Sequence, residues 1–363
     1  MPLPVFEEHA EALARLEGST VRVRPSQCLN LRHQRAGCRA CADACPTGAL
    51  RWSPKLRAEP YDCSQCGVCG VACPSGALEV QATAWQERLA RISQAVREGG
   101  ALLLACPVHL RGDRSLRRRA DLVEVPCLGA VAPWELVAAI AFGAREVWLL
   151  VSRCQRCSYR AAYPLAAQTV ARVNGALEAW GRAERVTLQT EPPPTPASAS
   201  RRGLAWLWAS RGPNVQEELA RRGVTLEEAP EPASPESQGL PQRVPDGHRR
   251  WISFLEGLGR PAGRGRHALF PDVIVSERCT GCGMCAYFCP TGALQACREA
   301  EEVALLFNAQ ACTTCGLCAR LCYQDALRLE AGTPEQVLDG QPRAIWRGRP
   351  RTPQDLLRTS AGL

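Results

Sequence analysis

The sequence predicts a modular protein of mixed class: two compact α+β modules, each organised by cysteines, on either side of a small α/β domain with a parallel sheet. Three observations carry that expectation. Cysteines crowd into two blocks toward the ends of the chain, with repeated two-residue spacers. Between the blocks, short apolar runs alternate with amphipathic stretches of helical period, the pattern of a parallel sheet with helical crossovers. Proline-rich segments separate the parts, as extended linkers do.

The first block holds Cys28, Cys38, Cys41 and Cys45, then YDCSQCGVCGVACPSGALEV with Cys63, Cys66, Cys69 and Cys73. A near copy supplies Cys279, Cys282, Cys285 and Cys289 and then Cys312, Cys315, Cys318 and Cys322, so the array is an internal repeat. The middle segment offers strands at ALLLAC (101–106), LVEVPC (122–127) and EVWLLVS (146–152), with helices over 133–143, opened by Pro133, and 159–181. The runs EPPPTPASAS and EAPEPASPESQGLPQRVPDG read as linkers, and Trp206 and Trp208 between them as packed aromatics. The expected segments are an N-terminal module at 1–98, the α/β domain at 99–190, and a linker with a short helical segment at 191–262. A C-terminal module at 263–331 and a tail at 332–363 follow.

Three cysteines at CxxCxxC let a tight loop aim successive thiolates at three irons of a cubane, and a fourth ligand must come from elsewhere. Zinc is the competing reading, because CxxC pairs also make tetrahedral sites. Zinc ribbons, however, separate two such pairs by a hairpin and do not add a fourth cysteine before a proline.

Composition agrees with metal rather than disulfides. The N-terminus MPLPVFEEHAEALARLEG has neither a basic start nor a signal-peptide core, so a cytoplasmic protein with reduced thiols is expected. No apolar run reaches the roughly 18 residues of a membrane helix, and no transmembrane segment is expected. The formal charge of +8 over 363 residues counts all 21 cysteines as neutral. Five oxidised iron–sulfur centres of about −2 each would bring it to about −2, so the basic residues read as compensation for cluster charge, with local arginine patches left over as docking surface, and not as a nucleic-acid surface.

The arrays resemble the bacterial-type ferredoxin with two [4Fe-4S] clusters, over 20–82 and again over 270–331, through CPTGAL at 45–50, CPSGAL at 73–78 and CPTGAL at 289–294. The resemblance implies two α+β ferredoxin-like dicluster modules, four [4Fe-4S] clusters, and exchange of the cysteine that precedes proline. One set is then Cys279, Cys282 and Cys285 with Cys322, and its neighbour is Cys312, Cys315 and Cys318 with Cys289. The N-terminal sets are Cys63, Cys66 and Cys69 with Cys45, and Cys28, Cys38 and Cys41 with Cys73. Two departures stand out. The insertion LNLRHQRAG follows Cys28 and puts Arg35 where the usual spacing has a cysteine, which leaves a three-iron or a more labile cluster open there. Tyr323 replaces the proline after Cys322.

Of the remaining cysteines, Cys106, Cys127, Cys154 and Cys157 end or follow expected strands, so a parallel sheet would gather them at its carboxyl edge, where α/β folds build sites. A flavodoxin-like fold is expected for this domain. Through VPCLG, the proline-opened helix, the strand after GA, and the CSY that follows, residues 100–182 resemble the delta subunit of methyl-viologen-reducing hydrogenases. That resemblance implies a [2Fe-2S] cluster at these four cysteines and passage of electrons between partners. A CxxC disulfide at Cys154 and Cys157, or zinc, competes with it. Cys297 reads as a small buried hydrophobe, and His9, His33, His109, His248 and His267 as structural or solvated. GLGRPAGRG follows no strand and is not a dinucleotide fingerprint.

The function expected is a multi-cluster electron-transfer protein with no catalytic residues of its own. It would serve redox protein partners in an oxidoreductase complex of hydrogenase, formate dehydrogenase or heterodisulfide-reductase type. The rivals are a maturation factor that delivers clusters to a metalloenzyme, and a disulfide-reducing enzyme using Cys154 and Cys157.

Overall fold

A computed structural model describes residues 4–14, 21–53, 55–80, 85–194, 219–220, 224, 226, 240–263, 265–299 and 301–351. Trp206, Trp208 and the helical pattern PQDLLRT lie outside the described residues. The chain forms two compact units: one from Met1–Arg24, Arg39–Glu227 and Gly247–Gly263, the other from Pro25–Cys38, Glu228–Asp246 and Arg264–Leu363.

In the first unit, β1 (Val21–Val23), β2 (Leu50–Trp52), β3 (Leu56–Ala58) and β4 (Leu78–Val80) make two small antiparallel pairs, β1 with β4 and β2 with β3. The short cysteine-bearing helices Ala40–Asp43 and Val68–Ala72 pack together beside them. Next come β5 (Leu102–Ala105), β6 (Leu122–Glu124), β7 (Glu146–Leu150) and β8 (Arg185–Gln189), a parallel sheet of order β6-β5-β7-β8. Every residue of β5 is buried, as a strand covered on both faces requires. The three expected strands are present. The fourth, β8, carries Thr187 and Gln189, which hide it from a search for apolar runs.

The helices around the sheet follow from local chemistry. The helix Pro133–Ala141 opens on proline, which has no amide hydrogen to leave unpaired, and Glu135 accepts the Ala132 amide at 2.7 Å. The helix Asp246–Gly257 rejoins this unit after the proline-rich run: Phe254 stacks on Trp134 at 6.3 Å between ring centroids and meets Phe142 edge-on at 6.1 Å. Trp180 Nε1 fixes the chain beyond that helix by donating to the Gly259 carbonyl at 2.8 Å.

The second unit holds β9 (His267–Val275), β10 (Leu294–Glu299), β11 (Glu302–Phe307), β12 (Leu327–Gly332) and β13 (Arg343–Gly348). Strands β9 and β12 pair antiparallel, and β10, β11 and β13 form an antiparallel sheet in that order. Strand β13 comes from the segment expected as a tail. Asp272, buried in β9, is ion-paired with Arg343 at the start of β13, which ties that segment to the body of the unit. Cys297 lies half-buried in β10 opposite Ala304. Among the described residues no helix is long and apolar enough to cross a membrane.

Candidate metal centres

The clearest site in the second unit is a cavity of about 340 Å³ lined by Cys279, Cys282, Cys285 and Cys322, with Leu305, Leu321 and Leu327 as apolar walls. Left-handed Gly281 and Gly283, at φ 67° and 75°, let the chain bend tightly between successive cysteines. Burial raises the Cys279 and Cys285 thiols, and each is raised further by its neighbours: Cys279 by Cys282 and Cys322, Cys285 by Cys318, Cys279 and Cys282. The Ala326 amide donates to Cys322 Sγ at 3.4 Å. Arg351 lines the same cavity and donates to the Cys279 carbonyl at 3.3 Å, and Trp346 of β13 covers Gly281.

Beside it lies a second group. Burial pushes the Cys318 thiol up to about 12, with Cys315 and Cys289 adding to the rise. Cys312 is raised by burial and by Cys318, Cys289 and Cys315. Cys289, which precedes proline, therefore lies near Cys312, Cys315 and Cys318. Cys285 faces Cys318, so the two groups adjoin.

The CP(T/S)GAL motif has a local reason. Two residues after the cysteine, a hydroxyl reaches the sulfur: Thr47 to Cys45 at 3.8 Å, Ser75 to Cys73 at 3.8 Å and Thr291 to Cys289 at 3.6 Å. The Leu50 and Ala77 amides add bonds to Cys45 and Cys73 at 3.4 and 3.2 Å. In the fourth motif Gln324 stands at the hydroxyl position and the amide bond alone is kept.

In the first unit, burial pushes Cys69 up to about 12, reinforced by Cys66, Cys45, Cys63 and Cys73. Cys66 is raised by burial and by Cys45 and Cys63. Cys45, Cys63, Cys66 and Cys69 are thus one group, with Cys73 beside it and Cys41 on the helix Ala40–Asp43. Cys28 and Cys38 belong to the second unit, where Asn30 clamps Cys38 to the turn after Cys28 through bonds of 2.7 and 2.9 Å.

The same insertion carries Arg32, which sequence reasoning passed over. Its buried guanidinium donates to the carbonyls of Phe288 and Cys289, both at 3.0 Å, of Pro241 at 2.8 Å and of Ser26 at 2.6 Å. Burial lowers its pKa, while Cys289 and Cys315 act to raise it, so the charge faces that cysteine group.

The four middle cysteines converge at the carboxyl ends of adjacent strands. Cys106 follows β5, Cys127 precedes the turn Leu128–Ala130 after β6, and Cys154 and Cys157 bracket the turn Cys154–Arg156 after β7. Burial pushes Cys154 up to about 12, with Cys106, Cys127 and Cys157 adding to it. Burial likewise lifts Cys127 to about 11, and its neighbours include Cys66 as well as Cys106 and Cys157. Gly67 and Ala130 make that approach close: a Cβ on Gly67 would lie 3.3 Å from the Ala130 Cβ.

His109, expected to be structural or solvated, is buried with Nδ1 at 3.2 Å from Cys106 Sγ. The Arg153 amide donates to Nε2 at 3.3 Å, so Nε2 is the acceptor and Nδ1 carries the hydrogen that points at sulfur. Burial and then Arg153 lower the His109 pKa, which keeps the ring neutral.

Thiols in groups, a cavity walled by four of them, and amide or hydroxyl donors aimed at sulfur fit iron–sulfur clusters. Among the described residues no three His, Cys, Asp or Glu side chains close on one point as a single ion requires. Three family descriptions match the chain: "4Fe-4S dicluster domain" over residues 34–77, "Methyl-viologen-reducing hydrogenase, delta subunit" over 110–200, and "4Fe-4S binding domain" over 272–295. Two 4Fe-4S domains flank a domain similar to the hydrogenase delta subunit. The protein is an iron–sulfur electron-transfer module related to that delta-subunit family. The delta-subunit match takes in Cys127, Cys154 and Cys157 and begins after Cys106; the dicluster match begins after Cys28. No curated protein and no solved structure matches the chain.

Proposed function

We propose that this electron-transfer module is a relay with five centres: four [4Fe-4S] clusters in two ferredoxin-like dicluster modules and one [2Fe-2S] cluster in a flavodoxin-like middle domain. Clusters supply one-electron capacity when bound, and the chain holds, insulates and tunes them. The ligand sets proposed are Cys45, Cys63, Cys66 and Cys69; Cys279, Cys282, Cys285 and Cys322; and Cys289, Cys312, Cys315 and Cys318; the set Cys28, Cys38, Cys41 and Cys73 rests on the ferredoxin resemblance alone. Cys106, Cys127, Cys154 and Cys157 make the fifth.

The observation that carries the relay is the approach of Cys66 to Cys127, where the helix Val68–Ala72 packs on the turn Leu128–Ala130. Val68 and Ala130 are buried there with Ala162, so water is kept from between the two sites. Substrate chemistry would belong to a hydrogenase-like partner. Iron and sulfide analysis with EPR on anaerobically purified protein tests the reading: about eighteen irons per chain are expected. About sixteen would remove the middle cluster, and about seventeen would put a three-iron cluster at Cys28.

A further inference from the structure

We infer that the carboxyl edge of the parallel sheet is a docking surface for a small acidic electron-carrier protein, which exchanges electrons through the Cys154 and Cys157 side of the middle centre. The inference rests on the relay reading and adds the chemical class of one partner.

Two connections form the surface. After β5 come Arg111, on the helix Pro107–Gly112, and Arg114, Arg117 and Arg118 on the turn Arg114–Arg118. After β7 come Arg153, Arg156 and Arg160. All seven are exposed. The connections adjoin: the Arg153 amide bonds His109 at 3.3 Å, and a Cβ on Gly112 would lie 2.8 Å from the Arg153 guanidinium. Arg117 reaches Glu124 at the end of β6, 3.7 Å away, which places the turn over the same edge.

The carboxylates at this edge are Asp113, Glu124, Glu135 and Glu191, of which Glu135 is buried and paired with Arg88. Asp113 caps the turn Arg114–Arg118, accepting from the Ser115 amide at 2.9 Å and its hydroxyl at 2.5 Å. The seven exposed arginines outnumber these carboxylates, so the edge is positive, and the half-buried thiols of Cys154 and Cys157 lie within it.

Compensation of buried charge does not account for these arginines. Arg32 shows what compensation looks like, a buried guanidinium bonded to main-chain carbonyls beside a cysteine group. The edge arginines are in solvent, where a charge is screened from the interior but available to an approaching surface. A positive rim around a redox site speeds encounter with an acidic partner by about 10-fold to 1,000-fold at low salt. The exchange itself balances simply: one electron leaves the carrier, one enters the middle centre, and no bond or proton changes hands.

The test is stopped-flow reduction of the full-length holoprotein by a reduced, small acidic two-[4Fe-4S] ferredoxin as probe, with reduced methyl viologen as a small cationic comparison. The expected results with the ferredoxin are a fall of about tenfold from low to high ionic strength and a similar fall at low salt in the Arg153→Glu/Arg156→Glu double variant. A second double variant, Arg111→Glu/Arg118→Glu, on the connection after β5, should lose rate alike with its iron content intact. Arg328→Glu in β12, a charge change in the other unit, should leave the rate unchanged. Viologen should reduce the double variants no slower than the unaltered protein. Equal ferredoxin rates in the unaltered protein and both double variants would overturn the docking surface while the relay stands. Failure of both reductants to reach the middle centre would overturn the relay reading and the docking surface with it.

Discussion

The guanidinium carbon of Arg35 lies 4.5 Å from the centre of the Tyr323 ring. Arg35 stands where the usual cysteine spacing has a ligand, and Tyr323 where the usual motif has proline. Both departures from the ferredoxin pattern thus meet in one cation–π contact within the second unit. Tyr323 is exposed, at 63% of its surface, so the contact is worth about 0.5–1 kcal/mol. Tyr323→Ala and Arg35→Ala should each cost about that much in denaturant unfolding of anaerobic holoprotein, and the double variant little more than either alone. Additive losses would show that the two residues act separately.

Arg32 acts on the same unit from closer in. Reduction adds negative charge to the centre proposed at Cys289, Cys312, Cys315 and Cys318, and a buried cation beside it favours the reduced form. At an effective dielectric of about 20, an interaction of about 1–2 kcal/mol is reasonable. Arg32→Gln should therefore lower that centre's midpoint potential by about 59 mV, a tenfold change for one electron. Arg32→Lys should hold the potential nearer its original value yet lose stability, because carbonyls of Phe288, Cys289, Pro241 and Ser26 lose partners that a single ammonium cannot replace. EPR-monitored redox titration reads the first effect and thermal unfolding the second. A Gln variant with an unchanged potential would make Arg32 structural only.

The hydrogen on His109 Nδ1 gives the middle centre a comparable handle. A bond to a ligand sulfur draws charge from it and eases reduction. His109→Phe keeps a flat ring but no donor, so the middle centre's midpoint potential should fall while iron content stays constant. His109→Gln, which can still donate to Cys106 Sγ, should recover part of the fall. Loss of iron in both variants would instead mean that His109 holds the loop and does not tune the sulfur.

These residues mark where sequence reasoning reached and where it stopped. Cysteine spacing is local chemistry: a thiol array constrains a loop of a dozen residues, so the groups at Cys63 to Cys69 and Cys279 to Cys285 could be read directly. The gathering of Cys106, Cys127, Cys154 and Cys157 followed from strand direction, because parallel strands deliver their carboxyl ends to one edge. Arg32 could not be read in this way, since the carbonyl of Cys289 is 257 residues away in the chain. Its one signal was position, within an insertion that displaced a ligand. The return of Asp246–Gly257 to the sheet was hidden likewise, because Phe254 finds Trp134 across a proline-rich run with no periodicity of its own. His109 lies only three residues from Cys106, and that spacing on a short helix was the available clue.

Gly129 sets the position of Cys127 by what it lacks. A Cβ there would lie 2.6 Å from the Ala162 carbonyl oxygen and 2.8 Å from the Ala162 Cβ, closer than real contacts come. Ala162 is buried and its turn leads into the helix Tyr163–Ala179, so it cannot easily withdraw. In Gly129→Ala the turn Leu128–Ala130 must therefore move, taking with it Cys127 on one side and the packing of Ala130 on Val68 on the other. Overpacking of this kind costs about 1–3 kcal/mol, too little to unfold a domain of this size but enough to displace a loop. The expected outcome is loss of about two irons per chain with the [4Fe-4S] signals retained, the count of a missing [2Fe-2S] centre. Cys127→Ser should give the same count. A Gly129→Ala protein that kept all its iron would show that the turn tolerates the shift, and one that also lost the Cys66 cluster would show that the two sites assemble together.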